Sequence, residues 1–157
     1  MDRNEKKTLL GTYLGFRSAP IDVISLANLF GVKVYNAAWP AHISGKIQKD
    51  QVKGGASGFA IFVNKDHPET RKRFTIAHEL AHYILHEDQI GDGIFDDALY
   101  RSGLPESKEF EANQLAANIL MPWHLLRPMM MHKTPDQLAK DFNVSKEAMD
   151  IRLGIFA

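Results

Sequence analysis

The residues able to do chemistry stand together: His78-Glu79-Leu80-Ala81-His82, the pattern HExxH. Residues four apart on a helix point the same way, so both imidazoles can reach one ion. Glu79 is one position on, rotated by roughly 100°. That offset keeps its carboxylate off the ion but within reach of a water beside it. A zinc ion brings the pKa of such a water to about 7. Glu79 then takes the proton as general base and hands it to a leaving amine. In a chain of this composition the pattern arises by chance roughly 0.02 times. The plainer reading is a solvated His-Glu-His face on a surface helix. Phe74, Ala81 and Leu85, which lie beside the histidines rather than opposite them, argue against it.

A third ligand must complete the site and leave a position open. His86, Asp96, Asp97, Glu106, Glu109 and Glu111 are available. His86 continues the i+4 series, but a straight helix drifts about 40° per four residues. Three ligands on one ladder also lie along an axis, not around a point. His86 therefore reads as a last-turn cation on the helix dipole. Asp96 and Asp97 sit in a Gly-rich loop, which holds a ligand less firmly than a helix does.

Glu109 and Glu111 share a second helix, about 200° apart, so only one can face inward. Ala112, Ala116, Ile119 and Leu120 gather around Glu109 or to one side of it. A carboxylate in such company is costly unless it is paired or bound to a metal. Glu109 is thus the better ligand, and Glu111 stays open. Asn113, at i+4 from Glu109, shares its face and can accept the outer N–H of a ligating His. Tyr100 or Arg101, in the preceding loop, is a weaker candidate for stabilising an oxyanion.

The elements that must position these groups follow from periodicity. Residues 4 to 14 suit a short amphipathic helix. Ser18-Ala19-Pro20-Ile21-Asp22 reads as a helix start, with Gly31 as the stop. Strands are expected at 32–35, 43–47 and, most clearly, 59–64 (FAIFVN). From Arg71 to His86 the spacing predicts a helix with one broad apolar face. Residues 87 to 105, rich in Gly, Asp and Pro, predict a loop. A helix spans 106 to 121 and is stopped by Pro122. Thr134-Pro135-Asp136-Gln137 is a capping box that opens a helix to about Phe142. Lys146 to Leu153 is the last helix, so the C-terminal helical segment covers about 134–155. Met129-Met130-Met131 reads as adaptable core or interface filler, and His124 and His132 as surface or capping residues. The expected fold is α+β: one compact domain over 1–157, with several helices packed on a small twisted sheet.

Composition limits the alternatives. The chain has 157 residues, Lys+Arg 19 against Asp+Glu 19, and 45% hydrophobic residues. That excludes a disordered chain and permits a substantial core. The absence of cysteine excludes disulfides, thiolate catalysis, zinc ribbons and iron–sulfur clusters. Any metal must be held by His, Asp or Glu. Zero net charge argues against wholesale nucleic-acid binding. The N-terminal MDRNEKKTLL has no signal-peptide core, and no run approaches the roughly 18 apolar residues of a membrane span. The default compartment is the cytoplasm.

Over most of its length the chain resembles the ImmA/IrrE family of bacterial and phage metallopeptidases. The resemblance is carried by RKRFTIAHELAHYILH, the loop ALYRSG, KEFEANQLAANILMP and the ending LAKDFNVSKEAMDIRL. It extends from SAPIDVISLANLFGVKVY to residue 153. It implies a zincin-like fold, with zinc on His78, His82 and Glu109 and with Glu79 as acid/base. In HExxH relatives the third ligand opens an ExxxD/N pattern, here Glu109 to Asn113. Leu115 stands where Phe is expected, a packing change only. The family also implies a substrate: members often cleave a helix-turn-helix repressor encoded nearby, which switches on a mobile element or stress gene. The strand at 59–64, just before the active helix, is expected to offer its edge around Ile61 to Val63 to an extended peptide.

Two other functions compete. Two short helices around a turn at QLAKDFNVSKEAMDIRL look like a helix-turn-helix. However, Lys133, Lys140, Lys146 and Arg152 are matched by Asp136, Asp141, Glu147 and Asp150, so direct DNA binding is not expected. The alternative to cleavage is a regulatory or toxin–antitoxin-like protein that binds its partner without cutting it. Glu79→Gln separates these, because it keeps the metal and removes the base.

Overall fold

Phe59–Asn64 forms strand β3, in which every residue except Phe62 is buried. A strand apolar on both faces belongs in the middle of a sheet, and β3 has a neighbour on each side. Val32–Ala37 (β1) runs parallel to it, and Ile43–Lys49 (β2) runs antiparallel. A fourth strand, Ile94–Asp97 (β4), pairs antiparallel with the far side of β2, so the order is β1-β3-β2-β4. The structure, a computed structural model, describes residues 1–90, 104–155 and the backbone of 94–97.

This topology corrects two expectations. Ile61 is opposite Val34 on one side and Ile47 on the other, so Ile61 to Val63 offer no edge to a peptide. The unbroken apolar run was already the mark of a central strand; edges favour alternation. The segment 87–105 is not all loop. It holds a 3-10 turn at Glu87–Gln89 and the short β4. Four residues, two of them Asp, carry little strand signal of their own, and β4 exists through its pairing with β2. Gly91, Gly93, Tyr100, Arg101 and Gly103 lie outside the described residues.

Seven helices accompany the sheet among the described residues. Arg3–Gly15 (α1) is capped by Asp2, and Val23–Leu29 (α2) by Asp22. Pro20 thus lies ahead of the cap and not in the first turn. Glu69–His86 (α3) begins two residues before the predicted start. It packs against β2 and β3 and against Glu106–Leu120 (α4). Every residue from Thr75 to Ile84 is buried, so the single apolar face expected of α3 is in fact burial all round. Leu80, Ile84, Ile61, Ile47, Ile119 and Leu120 are fully buried in the core between these elements. Each such side chain contributes about 1.5–3 kcal/mol.

Gly45 sets how closely β2 approaches α3. A Cβ there would collide with Thr75 Cγ2, and it would lie 3.8 Å from Glu79 Cγ. The centre of the sheet therefore touches the helix at the turn that carries the HExxH residues.

Trp123–Met130 (α5) was not legible, because Pro128 falls inside it. Leu126 anchors this helix in the core, and His124 Nε2 lies 3.1 Å from Leu14 O on α1. Met129 packs on the core, whereas Met131 is exposed. Pro135–Phe142 (α6) carries the expected capping box, and Lys146–Leu153 (α7) is capped by Ser145. Asn143, between them, is left-handed with φ 52°. Phe142 and Met149 from this pair are fully buried. The Arg73 guanidinium on α3 donates to Ile21 O, Asn143 O and Phe142 O at 2.7, 3.0 and 3.3 Å. No helix among the described residues is long and apolar enough to cross a membrane.

Candidate metal centre

His78 and His82 project from the buried middle of α3, and Glu109 from the first turn of α4. The two helices pack on each other, which brings the three side chains to one point. His82 Nε2 lies 3.1 Å from Glu109 Oε1, and His78 Nε2 lies 3.2 Å from Glu109 Oε2. The two Nε2 atoms are 3.2 Å apart. All three residues are buried, and they form a group able to hold a metal ion.

The spacing can be tested against zinc chemistry. Donors arranged tetrahedrally about 2.0–2.1 Å from a zinc ion stand about 3.3 Å from one another. The two Nε2 atoms stand at that spacing, and each stands at it from a different oxygen of the Glu109 carboxylate, which thus faces both rings. Glu79 supplies a second test. It is fully buried, and among the described residues neither carboxylate oxygen has a hydrogen-bond partner. A carboxylate in that position is costly without a cation, a water or a proton to meet. Both observations fit a divalent ion at the His–His–Glu group. They do not fit the solvated His-Glu-His face.

Protonation agrees. Burial first, and then the neighbouring His78, push the His82 pKa down, against the opposing pull of Glu109. The neutral imidazole is the form that binds a metal.

The other candidates fall elsewhere. Glu111 turns away from the pair; its side chain is about a third exposed, between Lys108 and Arg3, at 3.6 Å from each. Glu106 is exposed at the start of α4. Asn113 is half-buried on α4. Tyr100 and Arg101 lie outside the described residues, and Asp96 and Asp97 are described in their backbone alone.

The outer nitrogen of His82 meets His86 instead, Nδ1 to Nδ1 at 3.1 Å. His86 is fully buried, and burial followed by His82 lowers its pKa. Its burial favours the neutral imidazole over the helix-end cation that its position suggested. The missed signal was the i+4 spacing itself. A third histidine one turn on cannot share the ion, but it can reach the back of the second.

Two comparisons bear on this arrangement. The family model Peptidase_M78, described as the IrrE N-terminal-like domain, matches residues 27–154. Among solved structures, the chain is similar to a Mycobacterium tuberculosis transcriptional regulator, with a TM-score of 0.62 and 19% identity. That likeness covers 97% of this chain and 46% of the regulator, so the chain spans about half of that protein's length. At such identity the likeness shows the fold alone. No curated protein shows significant similarity.

Proposed function

The chain belongs to the IrrE N-terminal-like peptidase family, and we propose that it is a zinc-dependent endopeptidase of the HExxH type that cleaves a repressor-like regulator. His78, His82 and Glu109 hold the ion, and Glu79 is the catalytic acid/base. The observation that carries this reading is the buried His–His–Glu cluster, with contacts of 3.1–3.2 Å, together with the buried Glu79 carboxylate, which has no hydrogen-bond partner among the described residues.

Held there, a zinc ion would supply Lewis acidity towards a scissile carbonyl and would make a neighbouring water acidic enough to lose a proton near neutral pH. Glu79 receives that proton as the water oxygen attacks the carbonyl carbon. It returns the proton to the amide nitrogen as the C–N bond breaks. Its burial keeps bulk water from competing for the proton. Gly45 keeps β2 tight against the base. β4 pairs with β2 at Gly45 through Asp96. The sheet edge on β4 therefore lies about 4.8 Å beyond β2, one strand spacing. An extended peptide added to that edge would run past the site.

The test is Glu79→Gln. The variant should keep its metal and its melting temperature. Cleavage of a helix-turn-helix regulator encoded beside the gene should fall by about 10²–10⁴-fold. The second reading, binding without cutting, draws its support from the structural relative, a transcriptional regulator. Regulation in the cell that survives Glu79→Gln would establish it.

A further inference from the structure

We propose that His86 is a positioning residue that fixes the ring of His82 and the nitrogen on which its proton sits. The inference rests on the reading of His78, His82 and Glu109 as a metal centre. His82 turns Nε2 towards His78 and Glu109. A metal there takes the Nε2 lone pair, so the proton of the neutral ring must be on Nδ1. That N–H points at His86 Nδ1, 3.1 Å away. His86 must therefore present a lone pair at Nδ1 and carry its own proton on Nε2.

The surroundings of His86 favour the same tautomer. Its Nε2 is buried with no hydrogen-bond partner among the described residues, and Glu111 Oε1 stands 3.7 Å from it. A proton on Nε2 faces that carboxylate attractively, whereas a lone pair would be repelled. Lys108 and Arg3, each 3.6 Å from Glu111, hold the carboxylate in this direction. The chain of contacts runs from the His–His–Glu cluster through His86 and Glu111 to Arg3 on α1. A ligating His usually gives its outer N–H to a carboxylate, a carbonyl or a water. Here α3 provides the acceptor from its own next turn.

Zinc affinity, measured by competition with a chromophoric chelator, tests this in three variants. His86→Phe fills the space without an acceptor and should bind zinc about 10–100-fold more weakly. His86→Asn places an oxygen near where Nδ1 stood and should recover most of that loss. His86→Gln places it near where Nε2 stood and should not. Zinc-loaded wild-type protein gives an independent reading by long-range proton–nitrogen NMR of the ring nitrogens. It should show His86 protonated on Nε2 and bare on Nδ1. Wild-type zinc binding with His86→Phe equally tight, or Asn no better than Gln, overturns the proposal. So does a proton found on His86 Nδ1. Failure of the wild type to bind zinc overturns the metal-centre reading itself.

Discussion

Glu109 and Glu111 are two residues apart on α4 and serve different partners: Glu109 reaches His82 and His78 at 3.1 and 3.2 Å, while Glu111 stands 3.7 Å from His86. Two steps along a helix turn a side chain by about 200°, and that rotation divides the roles. Glu109→Gln should lower zinc affinity by more than the about 10–100-fold typical of a residue behind the ligands. Glu111→Gln should change it by no more than that range. Titration against a zinc chelator checks both. Equal effects would show that α4 presents another face to the histidines.

Gly45 and Thr75 are coupled by space. A side chain at 45 meets the Thr75 methyl. Gly45→Ala should cost about 1–3 kcal/mol through overpacking. Thr75→Ser removes the methyl and keeps the hydroxyl. The double variant should be more stable than the sum of the single changes predicts, by more than about 0.5 kcal/mol. Urea denaturation of the four proteins measures the cycle. Strict additivity would mean that β2 does not press on α3 here.

Arg73 joins three elements through three carbonyls. Two of them close α6, where helix-end carbonyls lack partners within the helix. Hydrogen bonds to a charged group are worth about 1.5–3 kcal/mol. Arg73→Met should therefore lower stability by at least that much. Arg73→Lys should recover only part of it, since an ammonium cannot reproduce the planar fork. Denaturation midpoints of the two variants would show the difference.

Asp22 caps α2 by accepting from the Ser25 N–H at 3.0 Å and its hydroxyl at 2.9 Å. The backbone bond from Ser25 is the main reason its pKa lies below the usual 3.8. A lowered carboxylate pKa stabilises the fold above the unfolded value and loses that effect as pH falls through the folded value. Asp22→Ala should cost about 0.5–2 kcal/mol at neutral pH. The gap from wild type should narrow as pH drops below about 3.8. Midpoints for both proteins across the acid range test the sign; a gap that widens on acidification would reverse it.

The parts legible in the sequence are those where one local rule acts without competition. The meeting of His78 with His82 follows from helical spacing. The arrival of Glu109 follows from the cost of burying a carboxylate among Ala and Ile. The capping box at Thr134 needs only four residues. What was illegible depended on partners far along the chain. β4 is a strand because β2 lies beside it, and β3 is central because β1 also pairs with it. In α5, Pro128 speaks against a helix that Leu126 nonetheless docks. His86 departs from its sequence expectation for a related reason. Its position at a helix end suggested a solvated cation, but packing buries it against His82.

The central claim is that two imidazoles and one carboxylate enclose a single divalent ion. Elemental analysis of the purified protein beside His82→Ala tests it most directly. One equivalent of zinc in the wild type, and almost none in a folded His82→Ala, is the predicted result. Equal metal content in the two, or a wild type that takes up no divalent metal when it is supplied, would contradict the account.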